Sequence, residues 1–209
     1  MNWAILYLMK KFPENIIWWA THPEALVRRI AGKVYRRFNH NEPWISLGAV
    51  KFCDVHLNKE MSGLEWGSGR STIWFAKRLK KITSVEDNQS WHGYVKKKLQ
   101  EDGHTNVDYR FVALDHAFDQ PVQAHYDVLP KYVAIANEFP DTSLDFVVVD
   151  GHYRQACVTA ALPKLKKGGY LLIDNSNWMK RELWGVPSHW EVVHCSFGFD
   201  GETTIWKKP

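Results

Sequence analysis

The sequence predicts an α/β fold: a doubly wound, mostly parallel sheet of seven strands that ends in an antiparallel hairpin. Three observations carry this expectation. From about Met61, short β-rich runs alternate with helical patterns, the order that builds a parallel sheet with helices on both faces. The run LDFVVVDG (144–151) is unbroken and β-branched, as a strand buried on both sides must be. The last two strand-like runs, WEVVHCSF and TTIWKK, are separated only by GFDGE, which leaves room for a turn and none for a helix.

The elements follow in order. MSGLEW (61–66) reads as a first strand, and Ser71 to Lys81 as a helix that buries Ile73, Phe75, Ala76 and Leu79. KITSVED (81–87) is the second strand. Ser90 is the expected N-cap of the next helix, which turns Trp91, Tyr94, Val95 and Leu99 to one side and stops at Gly103. VDYRFVAL (107–114) alternates as a third strand, and a helix is expected over Tyr132 to Phe139. After LDFVVVDG, a helix from Arg154 to Lys166 is shortened or bent by Pro163 and ends at Gly168-Gly169. YLLIDN (170–175) is the fifth strand.

Composition narrows the classes. At 209 residues, 45% apolar and 24% charged, the chain suits one well-buried domain plus an extension. Its net charge of +4 is mild, and the Lys and Arg residues are scattered, so no nucleic-acid partner is expected. Cys53, Cys157 and Cys195 are far apart and lack metal-site spacing, which points to a reducing compartment. The N-terminal MNWAILYLMKK puts its apolar residues before its charge, the reverse of a secretory signal. No run approaches the roughly 20 apolar residues of a membrane span. A cytoplasmic location is the expectation.

Residues 1–45 read as a separate helical extension. Thr21-His22-Pro23-Glu24 resembles a capping box with proline at the first helical position. The helix that follows sets Leu26, Val27, Ile30, Val34 and Phe38 against Arg28, Arg29, Lys33, Arg36 and Arg37. Such a helix packs as a lid on a domain, the reading preferred here, or lies on an anionic membrane surface through residues 1–38.

The chemistry concentrates in LEWGSGRST (64–72). It lacks the lysine and the spacing of a phosphate loop. A dinucleotide fingerprint needs a third glycine or alanine where Thr72 stands, so an NAD-dependent oxidoreductase is the weaker alternative. Neither rival explains the acid before the glycines. With Glu65-Trp66-Gly67-Ser68-Gly69 after strand one, Glu86 ending strand two, Asp150 ending strand four, Asp174-Asn175 ending strand five and a closing hairpin, residues 46–209 resemble the class I S-adenosylmethionine-dependent methyltransferases.

The resemblance implies a donor site in which Gly67 and Gly69 admit the methionine moiety. Ser68 and Thr72 complete the loop. Glu65 faces the donor's amino-acid end, Glu86 takes the ribose hydroxyls, and Asp115 lies near the adenine. Asp150, Asp174 and Asn175 form an all-oxygen set suited to Mg2+ or another divalent cation. That set resembles the metal site of the catechol and caffeoyl-CoA O-methyltransferases. Where those enzymes place a lysine this chain has Tyr153, which leaves His152, beside Asp150, as the candidate base. The acceptor implied is a small-molecule hydroxyl, phenol or sugar, with Trp178 and Trp184 as candidate walls. A methyltransferase-fold binding protein without turnover is the remaining alternative.

Overall fold

The computed structural model describes residues 27, 31, 32, 34, 35, 37–39, 42–115, 126–199 and 201–209. The chain divides into two units, Met1–His40 and Asn41–Pro209. In the first, Val27, Val34 and Phe38 are exposed. The capping box over Thr21–Glu24 lies outside the described residues.

The second unit begins with helix α1 (Leu47–His56), capped by the Ser46 hydroxyl, which accepts the Ala49 N–H at 3.3 Å. Then come β1 (Ser62–Trp66), α2 (Arg70–Ala76), β2 (Lys81–Glu86), α3 (Gln89–Glu101) and β3 (Val107–Phe111). After α4 (Lys131–Ala134), extended by a 3-10 turn, follow β4 (Leu144–Val149), α5 (Arg154–Ala161) and β5 (Leu165–Asp174). Two 3-10 turns lead to the hairpin of β6 (Glu191–Phe197) and β7 (Glu202–Lys207).

The sheet order is β3-β2-β1-β4-β5-β7-β6, with β7 antiparallel to both its neighbours. Period-two alternation splits the core between two faces. Val147, Val149, Leu171 and Ile173 pack with Leu64, Trp66 and the helices α4 and α5. Phe146, Val148 and Leu172 pack the other way, on Phe75, Leu79 and α1. The strands flanking the site are thus buried on both sides, as expected for parallel central strands.

Several element boundaries differ from expectation. Helix α2 ends at Ala76, because Lys77–Lys80 must turn back to start β2. The N-cap of α3 is Asn88, whose side chain accepts the Trp91 N–H; Ser90 lies inside the helix. Pro163 does shorten α5, which stops before it, and β5 already begins at Leu165. Helix α1 has no counterpart in the sequence reading.

Candidate active site

Strand β1 sits between β2 and β4, and the chain leaves it to opposite sides, so the crevice at the C-terminal ends of β1 and β4 is where such sheets bind ligands. A cavity of about 440 Å3 opens there. Gly67, Ser68, Glu86, Asp87 and Trp91 line one side, and Asp150–Gln155 with Trp178, Met179 and Trp184 line the other.

The floor is a crossing of two loops. Gly67 has φ +89°, and a Cβ on it would lie 2.6 Å from the Gly151 nitrogen. A Cβ on Gly151 would meet the Tyr132 hydroxyl at 2.0 Å and the Gly67 nitrogen at 2.9 Å. Gly67 therefore also serves contact between chain segments, besides lining the cavity. At Gly69 a side chain would meet, among the described residues, only the Trp91 ring, at 3.7 Å, so that is where the loop stands open.

Two acids organise the loop. Glu65 is completely buried beneath it and does not line the cavity. Its Oε2 accepts the Thr72 and Ser84 hydroxyls, each at 2.6 Å, while Oε1 has no hydrogen-bond partner among the described residues. Burial pushes this carboxyl up to about 7, against the hydroxyls of Ser71, Ser84 and Thr72, which favour its ionised form. Thr72 is buried too; its hydroxyl also accepts the Gly69 N–H, so it braces the loop from below.

Glu86 does line the cavity. Its Oε2 accepts the Ser68 N–H and hydroxyl at 3.1 and 2.6 Å, and its Oε1 the N–H groups of Asp87 and Asn88. The Ser68 hydroxyl is in turn 2.6 Å from that of Tyr109. Trp91 donates its indole N–H to the Ser68 carbonyl at 2.8 Å, fixing a flat wall beside the loop.

Across the cavity, His152 Nε2 lies 3.5 Å from Asp87 Oδ2. Burial raises the Asp87 carboxyl, and His152 opposes that rise. Asp87 is a site residue the sequence reading missed, because the acid before it already explained the end of β2.

Asp115 bonds within the chain. Its carboxylate accepts the Lys131 N–H at 2.6 Å at the start of α4, and it does not line the cavity. Among the described residues this bond to the start of α4 is the contact its carboxylate makes, and it neither shows nor excludes the adenine contact expected for it.

The oxygen set expected to hold a divalent cation is arranged round a different cation. Tyr153 and Asn175, which follow β4 and β5, both have φ of 51°, in the left-handed region. The turn made by Tyr153 points carbonyls at the first residue of α5, Arg154. That guanidinium donates Nε–H to the Gly151 carbonyl at 2.9 Å and Nη2 to the Asp150 carbonyl and Oδ1 at 2.7 and 3.1 Å. Its Nη1 donates to the Asp174 carbonyl and to Asn175 Oδ1.

All five N–H donors of Arg154 are thereby engaged. Asp174 is drawn away: its Oδ1 accepts the hydroxyl of Thr203, its register partner on β7, at 2.6 Å. Burial and the nearby Asp174 raise the Asp150 carboxyl, while Arg154 holds it down. Among the described residues no group of three His, Cys, Asp or Glu side chains could hold a metal ion. Asp150, Asp174 and Asn175 as arranged do not fit Mg2+, because a guanidinium already occupies two of the three donors; the expected metal site is corrected on that ground. The Tyr153 ring is buried in the core and cannot replace the missing lysine.

A model described as a methyltransferase domain matches residues 64–176, more than half of the chain, and takes in the β1 and β4 ends of this site. The chain belongs to that methyltransferase domain family. No curated protein matches the sequence. Among solved structures, a methyltransferase-like protein of Silicibacter pomeroyi superposes with a TM-score of 0.57 at 19% identity, covering 80% of this chain and 89% of its own. A candidate methyltransferase of Streptococcus mutans, solved in complex with SAH, superposes with a TM-score of 0.56 at 11% identity, covering 77% and 96%. An rRNA methylase of Streptococcus thermophilus gives 0.55 at 12% identity over 77% and 93%. At such identities the likeness concerns the fold.

Within this methyltransferase the structure brings Gly67, Ser68, Glu86, Asp150 and His152 together round one cavity. It keeps Glu65 and Thr72 beneath the floor and Asp115 outside. Trp178 and Trp184 do line the cavity, the first under the Arg154 guanidinium at 4.3 Å from the ring centroid. Among the described residues no helix is long and apolar enough to cross a membrane.

Proposed function

We propose that this methyltransferase transfers the methyl group of S-adenosylmethionine to a hydroxyl of a small molecule. Bound, that donor supplies a methyl already activated by a sulfonium. The donor's side of the cavity is the Glu65–Gly69 loop with Glu86. The negative field of buried Glu65, whose Oε1 has no hydrogen-bond partner among the described residues, suits an ammonium lodged above the loop. A ribose diol is recognised at Glu86 by taking over the place of the Ser68 hydroxyl, which keeps Tyr109 as an alternative partner.

The observation that carries the oxygen chemistry is the Asp87–His152 pair facing the crevice. A hydroxyl is a poor nucleophile at neutral pH, and an imidazole there takes its proton as the oxygen attacks the methyl carbon and the carbon–sulfur bond breaks. Asp87 stabilises the imidazolium so formed. Trp178, exposed at the cavity, offers flat apolar surface for a phenolic or sugar acceptor, and buried Trp184 backs the wall behind it.

The test is a screen of phenols and sugars by mass spectrometry, with the methylated atom located by NMR. Transfer to oxygen is expected, with His152→Ala slowed roughly 100-fold or more, the usual scale for a lost general base. Methyl on nitrogen or carbon overturns the oxygen reading.

We further propose that residues 1–38 contact an anionic bilayer. Val27, Val34 and Phe38 are exposed on a segment that also carries five Arg and Lys residues at positions 28, 29, 33, 36 and 37.

A further inference from the structure

We infer that Arg154 stands in place of a divalent cation, and that transfer by this enzyme is independent of metal, with the guanidinium as the positioning group between the ends of β4 and β5. The inference deepens the O-methylation reading and rests on it for its role in the reaction.

Placement alone is unfavourable for Arg154. It is the first residue of α5, where the helix macrodipole repels positive charge, and it is largely buried, 9% exposed. An unpaired cation there would be strongly destabilising. What offsets this is the ring of acceptors: three carbonyls, from Asp150, Gly151 and Asp174, and two side-chain oxygens, Asp150 Oδ1 and Asn175 Oδ1. Five oxygens from two strand ends converging on one site is what a hard cation would collect. A planar guanidinium collects the same oxygens with directed bonds and is never released by deprotonation or chelation.

The substitution changes what the site can do. With every N–H engaged, Arg154 does not bind the acceptor oxygen as a metal would. It fixes the Asp150–Tyr153 turn, and with it His152, and its outer face lies over the Trp178 ring, which borders the acceptor side. Proton removal therefore falls to His152, consistent with a base in this site and no Lewis acid.

The experiment is a titration of the full-length protein, with saturating S-adenosylhomocysteine, by Mn2+ followed by electron paramagnetic resonance. Calorimetry of S-adenosylhomocysteine binding is run in parallel with and without EDTA. The wild type should leave the free Mn2+ signal undiminished up to millimolar metal, and EDTA should leave the S-adenosylhomocysteine affinity unchanged. Arg154→Ala exposes the oxygens and should take up one Mn2+ per chain, whereas Arg154→Lys, which keeps a cation there, should not. A stoichiometric Mn2+ site in the wild type overturns the inference, as does an Arg154→Ala protein that binds S-adenosylhomocysteine normally yet takes up no Mn2+. If Arg154→Ala does not fold, the wild-type titration decides. Failure to bind S-adenosylhomocysteine at all would instead overturn the proposed function.

Discussion

Glu65 and Glu86 are both carboxylates on neighbouring strand ends, yet their surroundings assign them opposite duties. Glu86 is stabilised by four donors and borders the cavity, so its replacement by Ala should weaken S-adenosylhomocysteine binding by roughly 1–3 kcal/mol in calorimetry, the scale of hydrogen bonds to a charged group. Glu65 is raised from its ordinary 4.5 to about 7. Below pH 4.5 it is protonated in folded and unfolded chains alike and contributes no pH dependence. Between 4.5 and 7 the unfolded chain releases a proton that the folded one retains, so stability falls as pH rises, and above 7 the loss is complete, roughly 3 kcal/mol. Glu65→Gln lacks this titration. Its stability relative to wild type in urea should therefore improve steadily from pH 4.5 to 7.5 and then level off. At pH 8 its affinity for the ammonium-bearing donor should nevertheless fall. A stability difference that does not change with pH would show that Glu65 is not raised.

At the level of elements, the site depends on how closely the segments after β1 and β4 cross. Gly151→Ala places a methyl against the hydroxyl of Tyr132, which is held in the core, and against the Gly67 nitrogen. A cost of roughly 1–3 kcal/mol is expected, as for other overpacked interiors. The Tyr132 hydroxyl has no hydrogen-bond partner among the described residues, so Tyr132→Phe alone should be close to neutral. In the double variant the worst contact is gone and part of the loss should return. Strictly additive costs in a denaturant double-mutant cycle would mean that Tyr132 is not what the methyl meets. Short segments elsewhere follow the same logic: α1 is tolerated beside β6 because Gly48 lets the His194 and Ser196 side chains come near, within 2.6–2.8 Å of where its Cβ would lie.

For the whole molecule, every residue assigned to donor binding lies between Glu65 and Arg154, inside the unit Asn41–Pro209. A chain beginning at Asn41 should therefore bind S-adenosylhomocysteine as the full chain does. Co-sedimentation with phosphatidylserine vesicles should pellet the full chain at low salt and leave the truncated one in solution. Equal recovery of the two in the supernatant would overturn the membrane contact. Loss of acceptor turnover on truncation, with donor affinity intact, would point back to a lid.

Much of this was legible before any coordinates. Sheet, hairpin and donor loop rest on signals local in sequence: β-branched runs with period-two burial, the breaks at Gly103 and Pro163, and an acid set two residues before a glycine. Local signals also place Glu86, Asp150, Asp174 and Asn175 at strand ends, where a parallel sheet collects its ligands. Helix α1 escaped because a ten-residue segment with an internal glycine has little helical pattern of its own; packing against β6 and β7 makes it. The contacts that Asp115 makes with Lys131 and Gly67 with Gly151 escaped the sequence, since they join residues 16 and 84 positions apart. The cation at the centre of the site was decided by tertiary structure alone. Sequence shows which oxygens end β4 and β5. Only the left-handed turns at Tyr153 and Asn175, which curl those oxygens round the Arg154 guanidinium, determine what they hold.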